Sequence, residues 1–152
     1  MQRLFLVTIF YLLVACSSVQ ATVVFGQAKI KVADYPQTLT VEFAHTPEQR
    51  AQGLMYRESL CANCGMLFDF DEPRIVAMWM RNTLVDLDVA YITAQGEISD
   101  IIAMRALTEI PHPSSTEVRF ALEMPVGWFA KHAIEVGDPI QILSAFPAPK
   151  AR

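Results

Sequence analysis

The chain has 152 residues, 53% of them hydrophobic and 18% charged, and a net charge of −4. That apolar content is ample for one packed core and rules out a disordered chain. The acidic balance and the mostly single Lys and Arg residues speak against nucleic acid as a partner and against an electrostatic hold on anionic membranes.

Met1-Gln2-Arg3 places one positive charge ahead of an apolar run at 4–15, which Cys16-Ser17-Ser18 follows. The run is short for a bilayer span, which takes about 20 apolar residues, and has the length of a signal-peptide hydrophobic region. Two cleavage points compete. Leu13-Val14-Ala15-Cys16 resembles a bacterial lipobox, with lipid attached to Cys16. Val19-Gln20-Ala21 offers small residues to an ordinary signal peptidase. The cysteine directly after Leu-Val-Ala favours the first, so the expected product is exported, faces the periplasm, and meets the membrane through a lipid anchor only. Ser17 fits the outer membrane.

Residues 29–32 alternate, Asp34-Tyr35-Pro36 turns the chain, and residues 39–44 alternate again with Leu39, Val41 and Phe43 on one face. The two runs read as a hairpin. Thr46-Pro47-Glu48-Gln49 then signals a helix start, with Thr46 as N-cap and Gln49 reaching back; the helix should run to about Tyr56, with Ala51, Leu54 and Met55 on one face. Strands follow at 66–70, 75–81, 88–93 and 98–104, the last two around a turn at Gln95-Gly96. In the second of these runs, at 75–81, Val76, Met78 and Met80 share one face, and Ala77, Trp79 and Arg81 the other. A loop holds Pro111-His112-Pro113-Ser114-Ser115. A strand at 118–124, a short helix at 125–132, a turn at Val136-Gly137-Asp138 and a strand at 139–143 complete the pattern.

The fold class is mainly β or α+β: about seven or eight short strands and two short helices, in a small curled sheet or barrel-like domain. One domain spans 22–145, between a signal segment at 1–21 and a tail from 146 that should fray, given Pro147 and Pro149.

Gly53-Leu54-Met55, Arg57, Gly65-Met66-Leu67-Phe68, Trp79-Met80-Arg81-Asn82-Thr83, Leu87-Asp88, and Leu122-Glu123 with Gly127 occur in one order. No single motif is specific, but the ordered set resembles a bacterial and archaeal family catalogued as domain of unknown function 192, over about 41–143. The resemblance implies one compact β-rich domain and no particular activity. The chain departs from the family pattern at Asp86, where proline is frequent, and in its Cys61/Cys64 pair, which most members lack.

Cys61-Ala62-Asn63-Cys64 is the most conspicuous motif. A redox role needs a lowered thiol pKa, usually from a helix N-terminus, whereas this motif follows a helix and leads into a strand. Zinc needs further ligands, and His45, His112 and His132 are dispersed. A structural disulfide in an oxidising compartment is therefore expected, with modest stabilisation because the loop is so short. The methionines are read as core filler rather than a soft-metal site, and no metal or cofactor is expected.

Asp86 and Asp88 share a face if extended, and paired carboxylates can do acid–base work; pairing with Arg57 or Arg81, or turn capping, is the plainer expectation for Asp86. Arg57, Trp79, Arg81, Asn82, Thr83, Asp88 and Glu123 remain as a candidate cleft. Glu123 stands among Phe120, Leu122 and Met124, and a charge inside a strand must be paired or face a wet cleft. An aromatic beside charged and amide groups suits a small-ligand site, and a buried ion-pair network would look the same.

Three functions stay open. The first is an exported cell-envelope binding or accessory module holding a small polar ligand or an envelope partner. The second is a hydrolase-type enzyme using Asp88 and Glu123 as acid and base, although no G-x-S-x-G or H-E-x-x-H motif is present. The third is a purely structural envelope protein.

Overall fold

The computed structural model describes residues 23–148; the signal segment and the lipidated Cys16 expected from the sequence, and the last four residues, lie outside them. Strand β1 (Gly26–Val32) pairs antiparallel with β2 (Leu39–Ala44), as the alternation requires. Helix α1 (Pro47–Gln52) follows, then β3 (Met66–Arg74), β4 (Ala77–Met78), β5 (Leu87–Ile92), β6 (Ile98–Met104), β7 (His112–Pro113) and β8 (Val118–Pro125). Helix α2 (Trp128–Lys131) and β9 (Ile140–Phe146) end the fold.

Seven strands form one sheet in the order β6-β5-β8-β3-β2-β1-β9. All its pairs are antiparallel except β2 with β3, whose crossover carries α1 and the Cys61–Cys64 loop. The sheet curls until its edges touch at one end: Ile98 donates its N–H to Asp138 across 3.0 Å, and Ile140 to Gly96 across 2.7 Å. This half-barrel, with two short helices, is the mainly β architecture expected.

The two faces of the sheet bury different sets. Inside the curl lie Ile30, Leu39, Val41, Phe43, Leu67, Ala90, Leu122 and Met124, closed at one end by Trp128 and Phe129. On the outer face, Met66, Phe68, Phe70, Leu87, Val89, Tyr91 and Ala121 pack under Leu54, Val76 and Met80. The outer layer consists of α1, the turns after it, and the small β4–β7 ladder.

Three sequence expectations change. The helix starts as read, with Thr46 accepting from Gln49 N–H and the Gln49 side chain reaching back, but it stops at Gly53 instead of near Tyr56. Gly53 has φ +48°, a conformation that leaves the helix, and Gln49 rather than Ala51 is the buried helical side chain. The expected strand at 75–81 shrinks to Ala77–Met78, because its one ladder partner among the described residues, His112–Pro113, is two residues long and Pro113 has no N–H to extend it. Finally, β9 runs on to Phe146, which pairs with Gln27 inside the region expected to fray.

Candidate functional site

A cavity of about 370 Å³ opens on the outer face. One wall is α1 and the turn after it, from Arg50 to Met55; the opposite wall is the segment from Arg74 to Trp79. The floor is the sheet itself, through Phe68, Phe70 and Glu123, with Thr83 at its border. Period-two alternation puts Phe68 and Phe70 on the same face of β3, where their rings stack with centroids 6.5 Å apart.

Glu123 is the exceptional group. It stands opposite Met66 on one neighbouring strand and Val89 on the other, is only 4% exposed, and has no hydrogen-bond or ion-pair partner among the described residues. Burial alone pushes its pKa up from 4.5 to about 8, so the acid is mostly protonated at neutral pH.

Tyr91 lies on the same face, one ladder step along β5. Burial, and to a lesser degree the charge of Glu123, raises its pKa to about 12, against a lowering hydrogen bond from Met78. Its hydroxyl accepts from the Met78 N–H at 3.1 Å and donates to the His112 carbonyl. One phenol therefore ties both strands of the β4–β7 ladder down beside the cavity. Ser114 continues the tie, exchanging bonds with the Val76 backbone.

The seven residues singled out from the sequence do not form one cluster. Trp79, Thr83 and Glu123 line the cavity. Arg81 lies outside it, with its guanidinium 5.6 Å from the Trp79 ring centroid and a weak 4.0 Å contact to Glu109. Asn82, in the left-handed region with φ +56°, braces the loop: its side chain donates to the Tyr56 hydroxyl and its carbonyl accepts from the Tyr56 N–H. Arg57 sits in a separate hollow beside the disulfide loop, paired with Glu42 at 2.7 Å.

Asp88 is the clear departure from the convergent cleft. It stands opposite Met124, whereas Glu123 stands opposite Val89, so the two carboxyls leave opposite faces of the sheet. Asp88 accepts the Gly127 N–H at 2.8 Å where the chain enters α2. Burial raises its pKa and that hydrogen bond opposes the rise. No arginine pairs with it among the described residues, so it is neither part of a sealed ion-pair network nor a partner for Glu123. Asp86 accepts from the Ala106 N–H and takes no part in the cavity.

Cys61 and Cys64 form a disulfide, as expected. Gly65 after it packs so closely on β8 that any Cβ would collide with the Glu123 carbonyl and the Met124 sulfur. Among the described residues, no three His, Cys, Asp or Glu side chains gather as a metal site.

The model of the family described as "Uncharacterized ACR", domain of unknown function 192, matches residues 28–142. A crystal structure of a protein from Sinorhizobium meliloti 1021, described as a proposed transcription regulator, is 34% identical with a TM-score of 0.76, covering 80% of this chain and 98% of that one. A protein of unknown function from Novosphingobium aromaticivorans DSM 12444 is 27% identical with a TM-score of 0.71, over 76% of this chain and 84% of that one. No curated protein matches. The family model runs from within β1 to within β9 and takes in the whole cavity floor, and the chain belongs to the family of domain of unknown function 192.

Proposed function

We propose that the protein is an exported cell-envelope module that binds a small ligand in the cavity over Glu123. The observation that carries this reading is a buried carboxyl without a partner at the floor of an open, aromatic-walled cavity. Leaving such a group unpaired costs folding free energy, and a few convergent polar groups in an apolar hollow are the usual make-up of a ligand site. The ligand has an apolar body for Phe68, Phe70 and Trp79 and one polar group for Glu123. A hydrolase using Asp88 and Glu123 on one bond is disfavoured, because the two face opposite sides of the sheet. A transcription-regulator role, by analogy with the Sinorhizobium relative, is the weaker reading for a chain of net charge −4.

Met55 and Met78 line the cavity and serve as reporters. With methionine methyl groups labelled with carbon-13, a fragment screen spanning neutral, cationic and anionic compounds should shift these two signals and leave Met124, on the inner face, in place. A screen in which no fragment moves either signal would remove the ligand reading.

The envelope address rests on the leader, and the Cys61–Cys64 disulfide supports an oxidising compartment. Mass spectrometry of the mature protein should find a diacyl-modified N-terminal Cys16. A lipid-free chain starting at Thr22 overturns the anchor.

A further inference from the structure

Arg50, Gln52, Arg74 and Thr83 also line the cavity, but Glu123 is the buried group at its floor, and the choice of that side chain is informative. A glutamine of the same length would supply a hydrogen-bond donor at any pH without the cost of burying an ionisable group. What a carboxyl adds is a negative charge, available when a partner of opposite sign arrives. The walls suit that partner: Phe68, Phe70 and Trp79 offer aromatic surface, which attracts cations. Two of these rings already carry guanidinium groups, Arg81 at 5.6 Å from Trp79 and Arg74 at 5.5 Å from Phe70.

Besides Glu123, two charged side chains line the cavity, Arg50 and Arg74. From α1, Arg50 is spent on Asp71 and on the carbonyls of His45 and Asp69. From the end of β3, Arg74 lies over Phe70, four residues along the strand from the Met66 that faces Glu123. At a strand rise of about 3.3 Å per residue, that places Phe70 about 13 Å of backbone from Met66. From β5 the facing group is Tyr91, neutral until about pH 12. The His112 side chain of β7 does not line the cavity.

We propose that this cavity binds a small organic ammonium ion, its nitrogen against the Glu123 carboxyl and its apolar body along Phe68, Phe70 and Trp79. The proposal rests on reading the cavity as a ligand site. Binding is an exchange: the cation enters, the carboxyl O–H proton leaves to solvent, and an ion pair forms. No bond within the ligand changes.

Isothermal titration of the protein with benzyltrimethylammonium, benzyl alcohol and phenylacetate tests this. The cation should bind at least about tenfold more tightly than either isostere. Its affinity should rise about tenfold per pH unit between pH 6 and 8 and then level off, with close to one proton released at pH 7. Glu123→Gln should weaken the cation at least about tenfold and abolish the pH slope, and Trp79→Leu at the mouth should weaken it several-fold. An unchanged methionine methyl spectrum verifies that each variant is folded. Benzyl alcohol or phenylacetate binding as tightly as the cation, or a cation affinity unaltered in Glu123→Gln, overturns the ammonium assignment and leaves the cavity a ligand site. No binding of the cation at millimolar concentration overturns it as well.

Discussion

Trp128 donates its indole N–H across 3.1 Å to the side chain of Asn63, joining α2 to the loop that the Cys61–Cys64 disulfide closes. The Tyr35 hydroxyl reaches the same oxygen at 3.4 Å. The disulfide loop thus presents one amide to the aromatic group that caps the inner core, where Trp128 is only 3% exposed. Thiol titration of unreduced protein should find Cys61 and Cys64 blocked. A double Cys→Ser variant should lose about 2 kcal/mol, since so small a loop constrains the unfolded chain weakly. Its Trp128 emission should shift to the red as Asn63 loses its position. Free thiols at both positions would refute the staple.

Glu123 sets the pH dependence of stability. Its folded pKa, about 8, lies above the ordinary 4.5, so the native state holds a proton that the unfolded chain releases. The contribution is fully present below about pH 4.5 and is lost as pH rises through 8. Its size is on the order of 5 kcal/mol, from the shift and 1.36 kcal/mol per unit, and any water in the cavity reduces it. Asp88, also raised, acts in the same sense from a lower starting pH. Urea melts at pH 5, 7 and 9 should show wild type weakening, and Glu123→Gln nearly level and the more stable protein at pH 9. Parallel curves for the two proteins contradict the buried, unpaired acid.

Tyr91 holds the β4–β7 ladder by two hydrogen bonds through one oxygen. Tyr91→Phe leaves the Met78 N–H and the His112 carbonyl without that partner and should cost about 1–3 kcal/mol. Hydrogen exchange should accelerate at Met78 and Ser114 far more than in the β5–β8 ladder. Uniform acceleration across the sheet would mean the phenol supports the whole core rather than this wall.

Asp88→Asn should be mild, about 1 kcal/mol or less, because an amide oxygen can still accept the Gly127 N–H. Asp88→Ala removes the acceptor and should cost about 1–3 kcal/mol, with α2 the first element to exchange. A loss of about 3–5 kcal/mol in the asparagine variant is the signature of a stranded buried charge and would point to an ion-pair partner for Asp88.

Local chemistry was readable from the chain, and pairing was not. Thr46 to Gln49 announced a helix start because a capping box is a contact between near neighbours, and β1 and β2 showed their inward faces through simple alternation. The charge of Glu123 inside an apolar strand marked the floor of the cavity. Its relation to Asp88 depends on the register of β5 against β8, and no local pattern encodes that register. Met55 read as core filler, and nothing singled out Phe68 or Phe70, because an apolar residue facing a cavity and one facing a packed neighbour carry the same pattern. The run at 75–81 misled because alternation describes which way side chains point, while strand length depends on the partner, here a dipeptide ending in Pro113.

β1 and β9 come from opposite ends of the domain and lie side by side, Lys29 against Ser144 and Val32 against Ile140. Contacts so distant in sequence are slow to form, because a long loop must close before any pairing rewards it. Until the last strand has been synthesised, β1 has an open edge and Ile30 and Val32 lack the cover of Ile140. A growing chain therefore cannot lock into its final form early, a delay that would suit the export proposed above, in which the chain crosses a membrane before it folds.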